Sequence, residues 1–273
     1  MMAKTLKLSR SSYYAGRKRP ASRRELENQA LTAQIKTVDR DCRHVYGSPR
    51  ITAELKEQGS NCSRNRVARL MNENGIAAKT NRKFKLTTAS RHKFPIAPNR
   101  LNQAFGAADP NRVWASDITY IPTREGWLYL ATVIDLHSRS VVGWSMSDRL
   151  QRDLVMDAFK QAAQRRKPQP GLIFHSDRGA QYACSDFREM LQQGNFIQSM
   201  SGKGNCYDNA VSESFFKTLK TELIYFSRFK TRAEAKSAIF DYVEVFYNRR
   251  RRHSSLGYLS PAEFERRSHQ PMS

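Results

Sequence analysis

Between Val113 and Met146 the chain carries three consecutive runs rich in β-branched and aromatic residues: Val113 to Ile121, Trp127 to Asp135 and Ser140 to Met146. Such side chains suit a pleated, half-buried surface, and Thr123-Arg124-Glu125-Gly126 supplies a hairpin turn between the first two runs. Three antiparallel strands are the simplest outcome. The pattern then alternates. A helix from about Asp153 to Arg166 leads through Pro168-Gln169-Pro170-Gly171 to a strand, Leu172 to His175. Helix Ser185 to Gln193, strand Phe196 to Met200 and a long helix from about Asn209 to Leu223 follow. Three antiparallel strands followed by alternating helix and strand can bury their apolar faces only as a mixed five-stranded sheet flanked by helices, an α/β architecture.

That element order is the order of the ribonuclease-H-like fold, and its acidic residues fall at telling places. Asp117 interrupts an otherwise apolar strand. Asp177, within His175-Ser176-Asp177-Arg178-Gly179, follows the fourth strand at the carboxyl end, where open α/β sheets place their sites. Glu213 lies one turn into the last helix. Asp117 and Asp177 are 60 positions apart, and 35 residues separate Asp177 from Glu213. Magnesium prefers hard oxygen ligands and commonly takes one or two carboxylates per ion. Three clustered carboxylates can therefore hold two ions for phosphoryl displacement, chemistry that needs no protein nucleophile. Taken singly, each acid is more simply a surface or capping group; only the set points to a site. Asp208 reads as the N-cap of the last helix, and Asp135 as a structural or supporting residue. For His175, a metal-ligand role and a hydrogen-bonding role beside Asp177 both stay open.

Charge divides the 273 residues. The formal net charge is +22, which favours a polyanionic partner because Lys and Arg displace counterions from phosphates. Residues 1–100 hold 23 basic and 7 acidic side chains, residues 101–227 hold 14 and 13, and residues 228–273 hold 10 and 5. A neutral centre between basic ends fits ends that grip DNA and a centre that spends carboxylates on cations. The basic N-terminal part reads as helices. Leu26, Ala30, Ala33 and Ile35 sit near helical spacing. A second helix, Arg50 to Gln58, follows Ser48-Pro49 and ends at Gly59. Ser63 caps a third, with apolar Val67, Leu70 and Met71, which Gly75 stops. This is a helix-turn-helix arrangement whose second helix would present Arg64, Asn65, Arg66 and Arg69 to DNA. The bland alternative is a solvated basic helical hairpin. From Lys79 to Arg100 the basic, proline-bearing sequence reads as a linker, extended and ordered only on DNA.

Other classes fall away. The most apolar run, around Trp127 to Leu136, is far short of the roughly 20 residues that span a bilayer. No apolar stretch follows the first lysines as in a signal peptide, so a cytoplasmic protein is expected. Cys42, Cys62, Cys184 and Cys206 lack Cys-x-x-Cys spacing and read as packing residues rather than a zinc site or disulfides.

Three blocks carry a family resemblance: Trp114-Ala115-Ser116-Asp117-Ile118-Thr119-Tyr120, the stretch His175 to Tyr182, and the stretch Gly204 to Phe216. They resemble the retroviral-integrase-type transposases. With the 35-residue gap, the tail Tyr247 to Tyr258 and Tyr46-Gly47-Ser48-Pro49-Arg50-Ile51, the likeness is to the insertion-sequence family numbered three, over almost the whole chain. The resemblance implies a DNA transposase, the downstream catalytic frame of its element, with Asp117, Asp177 and Glu213 as the catalytic, metal-holding triad for Mg2+ or Mn2+ (two ions). It also implies that Lys220 is the basic residue seven positions after the glutamate. Glu213, Lys217 and Lys220 share one helix face, so both lysines either reach phosphate or line a solvated face. Implied partners are double-stranded DNA (element ends and target), further copies of the chain on DNA and an upstream-frame protein. The implied setting is the bacterial nucleoid. The expected organisation is a helix-turn-helix domain at 1–78, a basic linker at 79–107, a ribonuclease-H-like core at 108–227, and a C-terminal helix and basic tail at 228–273. A non-enzymatic regulator would explain the charge but not the three separated carboxylates, and a nuclease that cuts without joining is the nearer competitor.

Overall fold

A computed structural model describes residues 20–79, 94–101, 106–202 and 209–268, together with Ser11. They fall into two compact units, one within residues 1–79 and one within 80–273. Among the described residues no helix is long and apolar enough to cross a membrane.

Among the described residues, the first unit holds the helices α1 (Arg23–Asp41), α2 (Ser48–Glu57) and α3 (Arg64–Glu73). Ser22 and Glu25 form a reciprocal capping box at the start of α1. Pro49 occupies the first turn of α2, and the Ser63 hydroxyl accepts from the Arg66 N–H to cap α3. Gly59 and Gly75 follow their helices with φ of +85° and +65°, a region that favours glycine. The buried face of α1 is Leu31, Ile35 and Val38. Of the four residues that the spacing marks there, Ile35 is buried, whereas Leu26, Ala30 and Ala33 are exposed. Ala30 and Ala33 mislead because alanine is tolerated on either face of a helix, whereas Leu26 lies on the exposed first turn.

The second unit is built on a five-stranded sheet of β1 (Val113–Thr123), β2 (Gly126–Asp135), β3 (Val141–Ser147), β4 (Ile173–Ser176) and β5 (Ile197–Met200). Its order is β3-β2-β1-β4-β5. The pairs β1–β2 and β2–β3 are antiparallel, and β1–β4 and β4–β5 are parallel. This is the ribonuclease-H-like arrangement that the element order predicts.

Alternation along β1 decides what each face meets. Trp114 on β1 and Ala131 and Val133 on β2 pack with Leu154, Ala158 and Phe159 of α4 (Arg152–Arg166). The short α5 (Ala180–Ala183) and α6 (Ser185–Gln193) add Tyr182, Phe187 and Leu191 to this core. At Gly143 of β3, a Cβ would run into the Ala158 carbonyl and Ala162, so glycine lets α4 lie directly on the strand. On the other face, Ala115 packs with Leu136 and with Val211 of α7 (Ala210–Glu222).

Among the described residues that follow are α8 (Arg232–Phe240), a π-helical turn at Asp241–Tyr247 and α9 (Pro261–Ser268). Asn248 hydrogen-bonds both the N–H and the C=O of Val141, each at 2.9 Å, and so pairs with edge strand β3. The Arg166 guanidinium grips Glu265 of α9 at 2.8 and 2.9 Å. Residues 80–93 and 102–105 of the expected linker lie outside the described residues. Of the described ones, Ala97 packs on the main core and the Arg100 N–H donates to Ser199 of β5.

Candidate active site

Strand register brings the two aspartates together. β1 runs parallel to β4 with Ser116 beside Ser176. Each aspartate follows its serine by one residue, so Asp117 comes next within β1 and Asp177 just past the end of β4, on neighbouring strands that lie roughly 4.8 Å apart. Asp117 accepts the Ile118 N–H at 2.7 Å. Asp177 accepts the Gly179 N–H at 2.9 Å, and a Cβ at position 179 would sit 3.0 Å from that same oxygen. Glycine therefore fits the loop around the carboxylate.

The third acid arrives on α7. Asn209 is buried at the head of this helix and donates its side-chain amide to the Ser116 carbonyl at 3.3 Å, one residue before Asp117. Asp208, the expected cap, lies outside the described residues, as does Cys206. Phe215, Phe216 and Leu219 bury the inner face of α7, leaving Glu213 and Lys220 half-buried and Lys217 exposed.

At the far end, Glu222 is locked to Arg251. The arginine Nε lies 3.0 and 2.8 Å from the two carboxylate oxygens, Nη2 lies 2.7 Å from Oε1, and the Tyr242 hydroxyl donates to Oε2 at 2.7 Å. Burial works against the charged guanidinium, but its bonds to Glu222 and the charge there outweigh this and hold Arg251 above its ordinary range. The segment read as a basic tail thus turns Arg251 and Arg252 inward, while Arg249 and Arg250 stay exposed.

Burial, more than neighbouring charge, disfavours ionisation of Asp117 and Glu213. Burial and then the neighbouring Asp177 push the Asp117 carboxyl well above the usual range; Glu213 adds to this, while the Ile118 N–H and Lys220 oppose it. Burial also raises Glu213. Burial lowers Lys220, and the charge on Asp117 pulls it back up. Among the described residues, no three His, Cys, Asp or Glu side chains stand close enough to hold one metal ion. The fold makes the aspartates neighbours and brings Glu213 within electrostatic reach without closing a full ligand set. The donors are nonetheless all hard oxygens, and their mutual repulsion is what a divalent cation would relieve, so the residues fit such an ion.

Other candidates find different places. His175 is fully buried, with Nδ1 2.9 Å from the Ser199 hydroxyl and Nε2 3.3 Å from that of Ser201, so both ring nitrogens serve the joint between β4 and β5. The ring has a hydrogen-bonding role, through these two serines. Asp135 accepts the Asn111 and His137 N–H groups at 2.7 and 2.8 Å, as a structural residue would. Cys42, Cys62 and Cys184 are free thiols, and burial pushes the Cys62 thiol up.

On α3, Arg64 and Arg69 are exposed, and Arg69 pairs with Glu73 at 3.2 Å. Arg66 braces α1, donating to Asn28 at 2.9 Å with Glu27 at 3.5 Å. Asn209, Glu222, Arg251 and Tyr182, whose hydroxyl lies 2.8 Å from that of Ser116, escape sequence reasoning because their partners are distant in the chain. The only hint is their position within or beside the three blocks and the Tyr247 to Tyr258 tail.

Residues 107–206 and 213–268 match two family models, each described as an integrase core domain, and residues 25–84 match an HTH-like domain. The chain is 45% identical over 269 residues to the insertion element IS600 uncharacterized 31 kDa protein of Shigella sonnei, covering 98% of this chain and 99% of that protein. It is 48% identical over 249 residues to the transposase for insertion sequence element IS904 of Lactococcus lactis subsp. lactis (strain IL1403), covering 91% and 98%. It is 43% identical over 270 residues to transposase InsF for insertion sequence IS3A of Escherichia coli (strain K12), covering 98% and 93%.

Proposed function

The chain belongs to the insertion-sequence transposases with an integrase core, and we propose that Asp117, Asp177 and Glu213 are the residues with which it cuts and joins DNA strands at the element ends. The observation that carries this assignment is the in-step register of β1 and β4, which sets two like-charged carboxylates side by side on a half-buried floor. Keeping two such groups ionised is unfavourable without a cation. Mg2+ or Mn2+, as two ions, would activate the attacking oxygen and stabilise the leaving oxygen of an in-line displacement at phosphorus. The protein's own part is placement. Asp117 within β1 and Asp177 just past the end of β4 hold hard oxygens, Asn209 and the Glu222–Arg251 pair fix the two ends of α7, and Glu213 rides between them.

Lys220, and more loosely Lys217, would hold a DNA phosphate against this floor. Arg64, Arg66 and Arg69 would serve the helix-turn-helix of residues 1–78, joined through 79–107 to a core at 108–227 and its C-terminal extension at 228–273. Work as several copies on DNA, with an upstream-frame protein and in the bacterial nucleoid, belongs to the same proposal. The test uses linear DNA carrying the inverted repeats that flank the coding frame, with Mg2+ supplied. Asp117→Asn, Asp177→Asn and Glu213→Gln should each abolish cleavage and joining while leaving DNA binding intact. Near-normal turnover in any one of them removes that residue from the assignment. Cleavage without joining by the unaltered chain would favour a nuclease.

A further inference from the structure

The hairpin of β1 and β2 extends past β4, whose pairing with β1 stops at Ser116. Beyond that point, among the described residues, no strand covers this margin of β1. Tyr120 pairs with Tyr129 across the hairpin and Pro122 with Trp127, so these four side chains share one face, opposite to that of Asp117. Tyr120 is 39% and Trp127 49% exposed, and their rings meet edge to face at 5.0 Å. Tyr225, in the turn Ile224–Phe226 after α7, is 48% exposed, and burial and then the neighbouring Tyr120 push its hydroxyl above the ordinary range. Lys220 reaches from α7 over the margin. Its Nζ lies 5.3 Å from the centroid of the Tyr120 ring, and it is also the cation that acts on Asp117.

We propose that Tyr120, Trp127 and Tyr225 form a stacking platform for an unpaired nucleobase at the end of the DNA strand whose phosphate Lys220 holds. The proposal rests on the placement of DNA at Asp117, Asp177 and Glu213, and it names what that DNA does next to the site. Exposed aromatic rings gathered around a half-buried lysine match a nucleotide in both parts: flat apolar base on the rings, anionic phosphate on the amine. Three strand residues, roughly 10 Å along β1, separate Tyr120 from Asp117, and Lys220 links the two, acting on Asp117 and lying over the Tyr120 ring. A base splayed over the open margin of β1 would leave its stack, and the rings would replace the lost stacking.

The test uses the full chain and a DNA duplex with a short 3′ overhang whose unpaired base is 2-aminopurine, in a metal-free buffer where no chemistry occurs. A saturable change in 2-aminopurine emission is expected with the unaltered chain. In the Tyr120→Leu/Trp127→Leu double variant that change should vanish and affinity for the overhang should fall about tenfold or more. Binding of a blunt duplex and the thermal midpoint should hold. Tyr120→Phe, which keeps the ring, should behave as the unaltered chain.

Equal emission changes in the double variant and the unaltered chain would overturn the platform. So would an equal loss of blunt-duplex binding. A changed oligomeric state by sedimentation with unchanged emission would overturn it in favour of an interface between copies. Asp117→Asn should keep the emission change. If that variant also still cleaves DNA, the catalytic assignment fails while the platform stands.

Discussion

Replacing Arg251 with alanine should destabilise the sheet-bearing unit by about 3–5 kcal/mol, the range for removing one partner of a buried ion pair. The magnitude follows from what is left behind. Arg251 and Glu222 are 5% and 6% exposed at their side chains, and three short contacts join them. Without the guanidinium, the Glu222 carboxylate stays buried with the Tyr242 hydroxyl as the bond shown to remain. An exposed pair would change stability by at most about 1 kcal/mol. Urea unfolding followed by tryptophan emission is a clean assay, because Trp114, Trp127 and Trp144 all lie in the second unit and none in the first. With a slope of about 2–3 kcal/mol per molar, the midpoint should fall by about 1–2 M. Glu222→Leu combined with Arg251→Met should recover most of the loss, since a well-packed apolar pair of similar volume replaces a buried ion pair at little penalty. A loss under about 1 kcal/mol for Arg251→Ala, or a double variant no better than the single one, would refute this account of how α7 is fixed.

Other outcomes follow from the same geometry. Asp117 is raised above its ordinary value, so the folded chain binds that proton more tightly than the unfolded one, and stability is lost as pH rises from the unfolded value through the folded one. In chelator, Asp117→Asn should therefore raise the urea midpoint near about pH 8 and change it little near about pH 4; a variant less stable than the unaltered chain at the higher pH would contradict the repulsion. Mg2+ should stabilise the unaltered chain more than Asp117→Asn, measurable as a shift in thermal midpoint. Lys220→Ala should slow joining by roughly one to two orders of magnitude at saturating DNA, the worth of one charge-assisted bond. Exposed Lys217→Ala should have a smaller effect, and equal rates for Lys220→Ala and the unaltered chain would return Lys220 to a solvated face. A chain starting near Ala108 should bind DNA more weakly and with a shallower salt dependence, because residues 1–100 carry most of the net charge.

Local signals in the sequence determine much of this protein. The three β-rich runs end within two residues of the observed strands, Ser63 caps its helix, Gly59 and Gly75 stop theirs, and helix Ser185–Gln193 is read to the residue. These features depend on neighbours a few positions away, and hydrophobic period, capping and glycine record them directly. The spacing of Asp117, Asp177 and Glu213 is equally plain in the sequence. Their proximity is not, because it depends on β1 pairing in parallel with a strand 60 positions later and in one particular register, where a slip of one residue would turn Asp117 to the other face. Arg251 shows the same limit. In the sequence it is one of four consecutive arginines, and only the partner 29 residues away on α7 makes it a buried anchor rather than a solvated charge. His175 is resolved in the same way by Ser199 on β5 and Ser201 just past it. Short-range order is written in the order of residues, whereas the fate of a charge depends on which distant groups share its burial, and folding the sheet is what brings them together.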